Sequence, residues 1–282
     1  MPTVLVWSDD PKLQGELLGK AHTLGTAVAL DIGSLPDYDS ATIAVALATV
    51  ATNHKADLVL VGATKKGKDV GPRAAAHLDW PFAGEAQSVG GPGNWTVERM
   101  VLSGNSKATY TMGPTAVVTV TPKTFEGGAA AATGHKAEGL KGSRVKVVSR
   151  KPERTGGFDL GSAPVVVGVG RGFKAQGDLK MAEELAKCFP GGAVGCSRPI
   201  AADLKWLGEE HWIGLSGHQI KPKAYIACGV SGQIQHIAGI RGSKLIVAIN
   251  TNKDAPIFQV ADYGIVGDIY QVVPKLTQLL KK

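Results

Sequence analysis

The chain has 282 residues, with 31 Lys and Arg against 24 Asp and Glu for a formal net charge of +7, and it is 44% hydrophobic and 20% charged. At roughly 100–200 residues per domain this suffices for about two domains with cores of their own, and the composition excludes wholesale disorder. Thirty-seven glycines without a three-residue period exclude collagen, and no apolar run reaches the roughly 18 residues that a transmembrane helix needs.

The basic residues are scattered, so a sequence pI near 9.2 permits an anionic partner without outlining a nucleic-acid interface. The opening MPTVLVWSDD has neither a secretory nor a transit pattern. Cys188, Cys196 and Cys228 are odd in number and form no CxxC, which disfavours a disulfide framework or a structural zinc site. The expected setting is the reducing cytoplasm.

In chain order, 4–7 reads as a strand closed by Ser8-Asp9-Asp10-Pro11, a good helix entry. A second strand follows at 27–30, an Ala-rich helix at 40–53 and a third strand at 58–61. Lys65 to Asp69 reads as a charged loop, with Pro72 in the first turn of a helix through His77, where its missing N–H is unneeded. Three short runs between glycine turns, at 96–102, 108–112 and 116–120, predict an antiparallel meander. Residues 126–142 are poor in large apolar side chains and read as a loop, 145–148 as a further apolar run, and 149–161 as the domain boundary.

The remainder alternates strands at 164–169, 193–196, 225–228 and 245–249 with helices at 179–189, 234–238 and 270–280, which means a parallel α/β sheet. The expected fold class is therefore α/β in two domains. An N-terminal α/β domain with a small antiparallel meander spans 1–150, a linker or hinge 151–161, and a C-terminal parallel-sheet domain 162–282.

Ligands of such sheets bind outside the carboxyl ends of the strands. Those ends carry Gly170-Arg171-Gly172, Ser197-Arg198-Pro199, the stretch from Gly229 to His236, and Asn250. Gly168-x-Gly170-x-Gly172 begins like a dinucleotide fingerprint but ends on Phe173 in place of the third glycine. Ser231-Gly232, opening a helix, is a better anion site, against the plainer reading of a serine cap. Arg198, stiffened by Pro199, can stabilise negative charge on a ligand or make a surface ion pair. The cysteines sit in apolar runs and read as small core residues. HExxH, GxSxG and Walker A patterns are absent from the sequence. The residues alone describe a two-domain α/β protein with an anionic, nucleotide-like ligand in its second half.

The text GCSRP at 195–199, GLSG at 214–217, YIACGVSGQIQHIAG at 225–239, IVAIN at 246–250 and APIFQVADYGIVGD at 255–268 resembles the alpha subunit of electron transfer flavoprotein, FixB-type members included. GKDVGPR at 67–73 and AVVTV at 116–120 extend the resemblance to the first half. It implies one FAD in this subunit and a heterodimer with a beta subunit that holds AMP or a second FAD. It further implies an electron carrier without substrate chemistry of its own. Electrons would pass from a flavin dehydrogenase, such as an acyl-CoA dehydrogenase, to a quinone oxidoreductase or another acceptor. Neither nucleic-acid binding nor membrane spanning is expected; the alternative is a nucleotide-dependent α/β enzyme using the same strand ends.

The FAD contacts so implied are Arg171, Ser197, Arg198, Ile213, Gly214, Leu215, Ser216, Ser231, Gly232, Gln233, Ile234, Gln235, His236, Asn250, Asp268 and Ile269. Ser231-Gly232 would face the pyrophosphate, and Asn250 and Asp268 the ribityl or adenosine hydroxyls. Arg198 and His236 would flank the isoalloxazine, where a cation favours the reduced flavin by roughly 60 mV per tenfold bias for one electron. Two features depart from the family pattern. Leu215 and Ser216 stand where glutamine and threonine are common, and the segment around 31–40 is short. The first domain's implied task is packing against the partner, with the linker as hinge.

Overall fold

Short runs of β-branched residues and leucine, each closed by a polar turn, supply most of the strands. The computed structural model describes residues 1–32, 40–104, 106–126, 133–136, 148–149 and 160–281. The chain divides into two compact units, Met1–Lys151 and Pro152–Lys282.

In the first unit, β1 (Thr3–Trp7) is buried from Val4 onward. Asp10 then caps α1 (Pro11–Leu24), accepting from the Lys12 and Leu13 amides, with Pro11 in the first turn where no N–H is required. Leu13, Leu17, Leu18 and Ala21 form the buried stripe of α1. There follow β2 (Thr26–Asp31), α2 (Ser40–Asn53), β3 (Leu58–Gly62), α3 (Gly67–Leu78), β4 (Phe82–Ala86), β5 (Ser88–Gly90), β6 (Thr96–Val101), β7 (Ser106–Thr111), β8 (Ala116–Val120) and β9 (Thr133–Lys136). The main sheet runs β4-β8-β3-β1-β2-β9 with every pair parallel, while β5-β6-β7 form a separate antiparallel sheet.

Three local expectations are corrected. The strand at 116–120 does not belong to the meander; as β8 it lies between β4 and β3, and all five of its residues are buried. An unbroken apolar run is the mark of a strand covered on both faces, whereas meander strands alternate. Helix α3 begins at Gly67, so the last residues of the expected loop are helical and Pro72 lies inside the helix. The Gly67 amide donates to Thr64 Oγ1, and this turn starts the helix early. The expected loop at 126–142 contains β9, which pairs with β2. Most of the run at 145–148 and of the linker at 151–161 lies outside the described residues.

The second unit is β10 (Val165–Val169), α4 (Leu179–Lys187), β11 (Ala193–Cys196), β12 (Ala224–Cys228), α5 (Ile234–Ile240), β13 (Ile246–Asn250), β14 (Tyr263–Val266) and α6 (Ile269–Leu280), joined by short helical turns. Its sheet is wholly parallel in the order β11-β10-β12-β13-β14. Val167, Val169, Ile226 and Ile249 pack with Leu185 and Val273 on one face. Val166, Tyr225, Ile246 and Ala248 pack with Ile240 and Ile257 on the other. The chain leaves β10 for β11 on one side and returns to β12 on the other. That reversal leaves a crevice at the carboxyl ends of β10 and β12. Among the described residues no helix is long and apolar enough to cross a membrane.

Candidate functional site

A cleft of about 760 Å³ opens at this reversal, lined by residues that follow β10, β11, β12 and β13. Its size is that of a small-molecule or cofactor site. Arg171, Lys174 and Arg198 give it three cations against one carboxylate, Asp268, so its lining favours an anion.

The glycines of the broken fingerprint have packing work inside the protein. A Cβ on Gly172 would come within 2.6 Å of Gly229 Cα, and Gly229 has φ +63°. The turns after β10 and β12 therefore touch backbone to backbone, with the Gly172 amide donating to the Gly229 carbonyl at 3.0 Å. A Cβ on Gly168 would stand 1.8 Å from Tyr225 Oη; glycine there makes room for that hydroxyl.

Tyr225 is fully buried on β12, and its Oη lies 2.7 Å from His236 Nε2 in the first turn of α5. His236 lines the cleft at 6% exposure, with its other nitrogen, Nδ1, shut off from solvent. Burial pushes this imidazole down to about 4, the Ile213 backbone offsetting part of the effect. His236 is thus neutral at neutral pH, and the fixed positive charge beside it is that of Arg198. The exposed Arg198 guanidinium sits 5.8 Å from the centre of the Trp212 ring, a cation–π shelf that favours one side of its reach.

The loop around Gly214 is pinned from both sides. The Ile213 amide donates to Cys196 at the end of β11, and the Leu215 amide to Gln235 on α5. Leu215 and Ser216 are exposed at its tip. Gln233, not Ser231, is the residue at the N-cap position of α5, and it makes no side-chain cap bond; Ser231 and Gly232 precede the helix and do not open it, and the plainer reading of Ser231 as a cap also falls. The Ser231 carbonyl accepts from Ile257 instead, and Gly232, at φ +80°, packs against Ile257. Asn250 donates to the Val230 carbonyl and accepts from the Asn252 amide, holding the 229–233 turn in place. Asp268 Oδ1 caps α6 through the Tyr270 amide. Cys196 and Cys228 are buried core residues at the two strand ends, with thiols pushed up to about 12 chiefly by burial. Cys188 is only half-buried.

Fifteen of the sixteen expected contacts therefore line one cleft, the exception being Ile234, which is exposed and not part of its lining. The cleft also holds Lys174, Trp212, Thr251 and Tyr270, which sequence reasoning did not single out. Tyr270 donates to Asp178 at 2.6 Å and accepts from the Lys174 amide at 2.7 Å, with the Lys174 ammonium 5.0 Å from its ring. Tyr270 and Asp178 are 92 residues apart, so no local motif links them.

These features fit a flavin dinucleotide: a cleft of cofactor size, an anion-attracting lining, and backbone turns bare of Cβ atoms. Comparison with known proteins agrees. The electron transfer flavoprotein FAD-binding domain model matches residues 159–241, and the electron transfer flavoprotein domain model residues 3–148. Protein FixB of Escherichia coli O7:K1 is 35% identical over 285 residues, covering 98% of this chain and 89% of that protein. YdiR of Escherichia coli strain K12, provisionally named an electron transfer flavoprotein subunit, is 34% identical over 312 residues, covering 99% of this chain and 98% of that protein. The chain belongs to the electron transfer flavoprotein family as an alpha subunit of FixB type, a carrier of electrons with a FAD-binding domain.

Proposed function

We propose that this subunit holds one FAD in the cleft of its second unit and, paired with a beta subunit, relays electrons from a flavin dehydrogenase of the acyl-CoA dehydrogenase kind to a quinone oxidoreductase. The observation that carries this reading is the gathering of Arg171, Lys174 and Arg198 on one crevice at the strand reversal. When bound, the flavin supplies reversible uptake and release of one or two electrons.

The protein's part is to bind, orient and bias. Arg171 and Lys174 attract the pyrophosphate, and the glycines of the turns beside them keep those turns bare of Cβ atoms. Asn250 keeps one amide hydrogen beyond its structural bond to Val230, and Asp268 one oxygen beyond its cap. Both suit the hydroxyls of a ribityl chain or ribose. Arg198 places a fixed positive charge where reduction develops negative charge, and so favours the reduced form. Leu215 and Ser216, exposed at the rim, leave one edge of the site open for electrons to pass to a partner. The first unit, residues 1–150, packs against the beta subunit. That subunit carries AMP or a second FAD, residues 151–161 act as the hinge, and the complex works in the cytoplasm.

Co-purification of both subunits, with the visible spectrum recorded and flavins counted per heterodimer, tests this. The expected result is a yellow complex that bleaches on reduction and loses flavin or potential in Arg198→Ala. A colourless complex, or an Arg198→Ala protein with unaltered occupancy and potential, overturns it.

A further inference from the structure

Tyr270 holds one stretch of the cleft wall at several points. Its hydroxyl has one hydrogen and two lone pairs. The hydrogen goes to Asp178 Oδ2 at 2.6 Å, and a lone pair accepts the Lys174 amide at 2.7 Å. Asp178 Oδ2 also accepts the Ala175 amide at 3.0 Å, so the loop closes on itself around the phenol. Asp178 occupies the N-cap position of α4 yet makes no side-chain cap bond there. An aspartate in that position ordinarily caps its own helix; here its carboxylate is turned to the tyrosine and the loop. Loss of water contact, and then the bond to Asp178, raise the phenol above its ordinary value, so it stays protonated and donates. The Lys174 ammonium lies 5.0 Å from the centre of the same ring. Lys174 thus rests on Tyr270 both by its backbone and by its charged end. Among the described residues no carboxylate lies within ion-pair distance of that ammonium, which leaves its charge to a ligand.

We propose that Tyr270 is a positioning residue for cofactor binding, which holds the Lys174 ammonium at the cleft so that a phosphate of the bound dinucleotide meets a cation already in place. This rests on the flavin reading of the cleft. An unrestrained lysine loses rotamer freedom when it engages a phosphate, and that cost weakens the contact. On an aromatic face, part of the freedom is gone before the ligand arrives. The hydroxyl has a separate task. It ties the Lys174 backbone to the first turn of α6, next to Asp268, which also lines the cleft. Arg171 is anchored elsewhere: it sits between Gly170 and Gly172, whose amides donate to the Cys228 and Gly229 carbonyls. Of the two cations on this loop, only Lys174 depends on the phenol.

The test measures FAD release from the loaded heterodimer at low and high salt. Lys174→Gln, which removes the charge, is expected to speed release about tenfold at low salt. Tyr270→Leu, which removes ring and hydroxyl, should speed it about as much, and Tyr270→Phe, which keeps the ring, about threefold. All three increases should shrink at high salt, where a charge contact is screened. On top of Lys174→Gln, neither tyrosine substitution should speed release further, because its effect runs through that ammonium. A tyrosine that merely supports the fold would add its cost on either background and at either salt. Parental release in Tyr270→Leu overturns the inference, as does a faster release that ignores salt or persists in full without Lys174. Tyr270→Phe is judged by the same outcomes if Tyr270→Leu does not fold. If Arg198→Ala alters flavin retention or potential while Lys174→Gln leaves release unchanged, this inference alone fails; if neither substitution has an effect, the flavin reading of the cleft fails with it.

Discussion

The two units wind their parallel sheets in the same way but finish their strand ends differently. In each, the first strand is central, the second lies on one side and the third on the other: β2-β1-β3 in the first unit and β11-β10-β12 in the second. Both thus possess the crevice in which such sheets bind ligands. In the first unit, the polar groups at that place satisfy one another. Thr64 Oγ1 donates to Asp9 and accepts from the Gly67 amide, Ser8 accepts from the Asp10 amide, and a Cβ on Gly67 would strike the Gly62 carbonyl. In the second, three cations face an open cleft. Topology supplies the location; whether the local polar groups close on each other decides whether a ligand is needed there.

A matched pair of substitutions breaks the comparison most severely. Gly229→Ala forces a Cβ into the turn after β10 from a left-handed backbone, and should cost about 3 kcal/mol in stability. Gly67→Ala drives a Cβ into a backbone carbonyl of the other unit and should cost about as much. Denaturant midpoints read both costs, but only Gly229→Ala should empty the complex of flavin at temperatures where it remains folded. Equal flavin loss in the two proteins would sink the distinction between a closed and an open strand end.

A difference nearly as large is expected with pH. His236 is held at about 4 in the folded protein, below its ordinary 6.5. The unfolded chain therefore binds the proton first as pH falls. Stability is full above about 6.5, declines through the interval down to about 4, and levels below it, a loss of about 3 kcal/mol from this residue. The measurement is urea unfolding of the flavin-stripped protein across that interval. The slope contributed by this residue should vanish in His236→Ala. The smallest effect belongs to the closed end: Thr64→Val should lower stability by about 1 kcal/mol and leave flavin occupancy and potential untouched.

Much of this was legible in the sequence because the information was local. Asp10-Pro11 announces α1, and the apolar runs at 4–7, 58–61 and 225–228 announce their strands. Polar strand ends locate the cleft once a parallel sheet is granted. What escaped depends on contacts between distant residues. The run at 116–120 looks like its meander neighbours until its burial on both faces places it in the main sheet. Strand β14 (YGIV) is exposed throughout, and so shows no burial pattern to read. Gly168 suggested a phosphate turn, while its actual neighbour is Tyr225, 57 positions later by number. The neutral state of His236 comes from its burial, which no spacing of residues displays.

The placement of Cys196 and Cys228 has a consequence for redox housekeeping. Both sit opposite Val169, one on each neighbouring strand. Two strand spacings of about 4.8 Å hold them roughly 9.6 Å apart, beyond the roughly 4.4–6.8 Å between Cα atoms that a disulfide spans. With thiols held near 12, scarcely any thiolate exists at neutral pH to attack an oxidant. Neither of these two sulfurs can bridge to the other, and neither presents a ready nucleophile to an oxidant, so the strand ends keep their thiols inert.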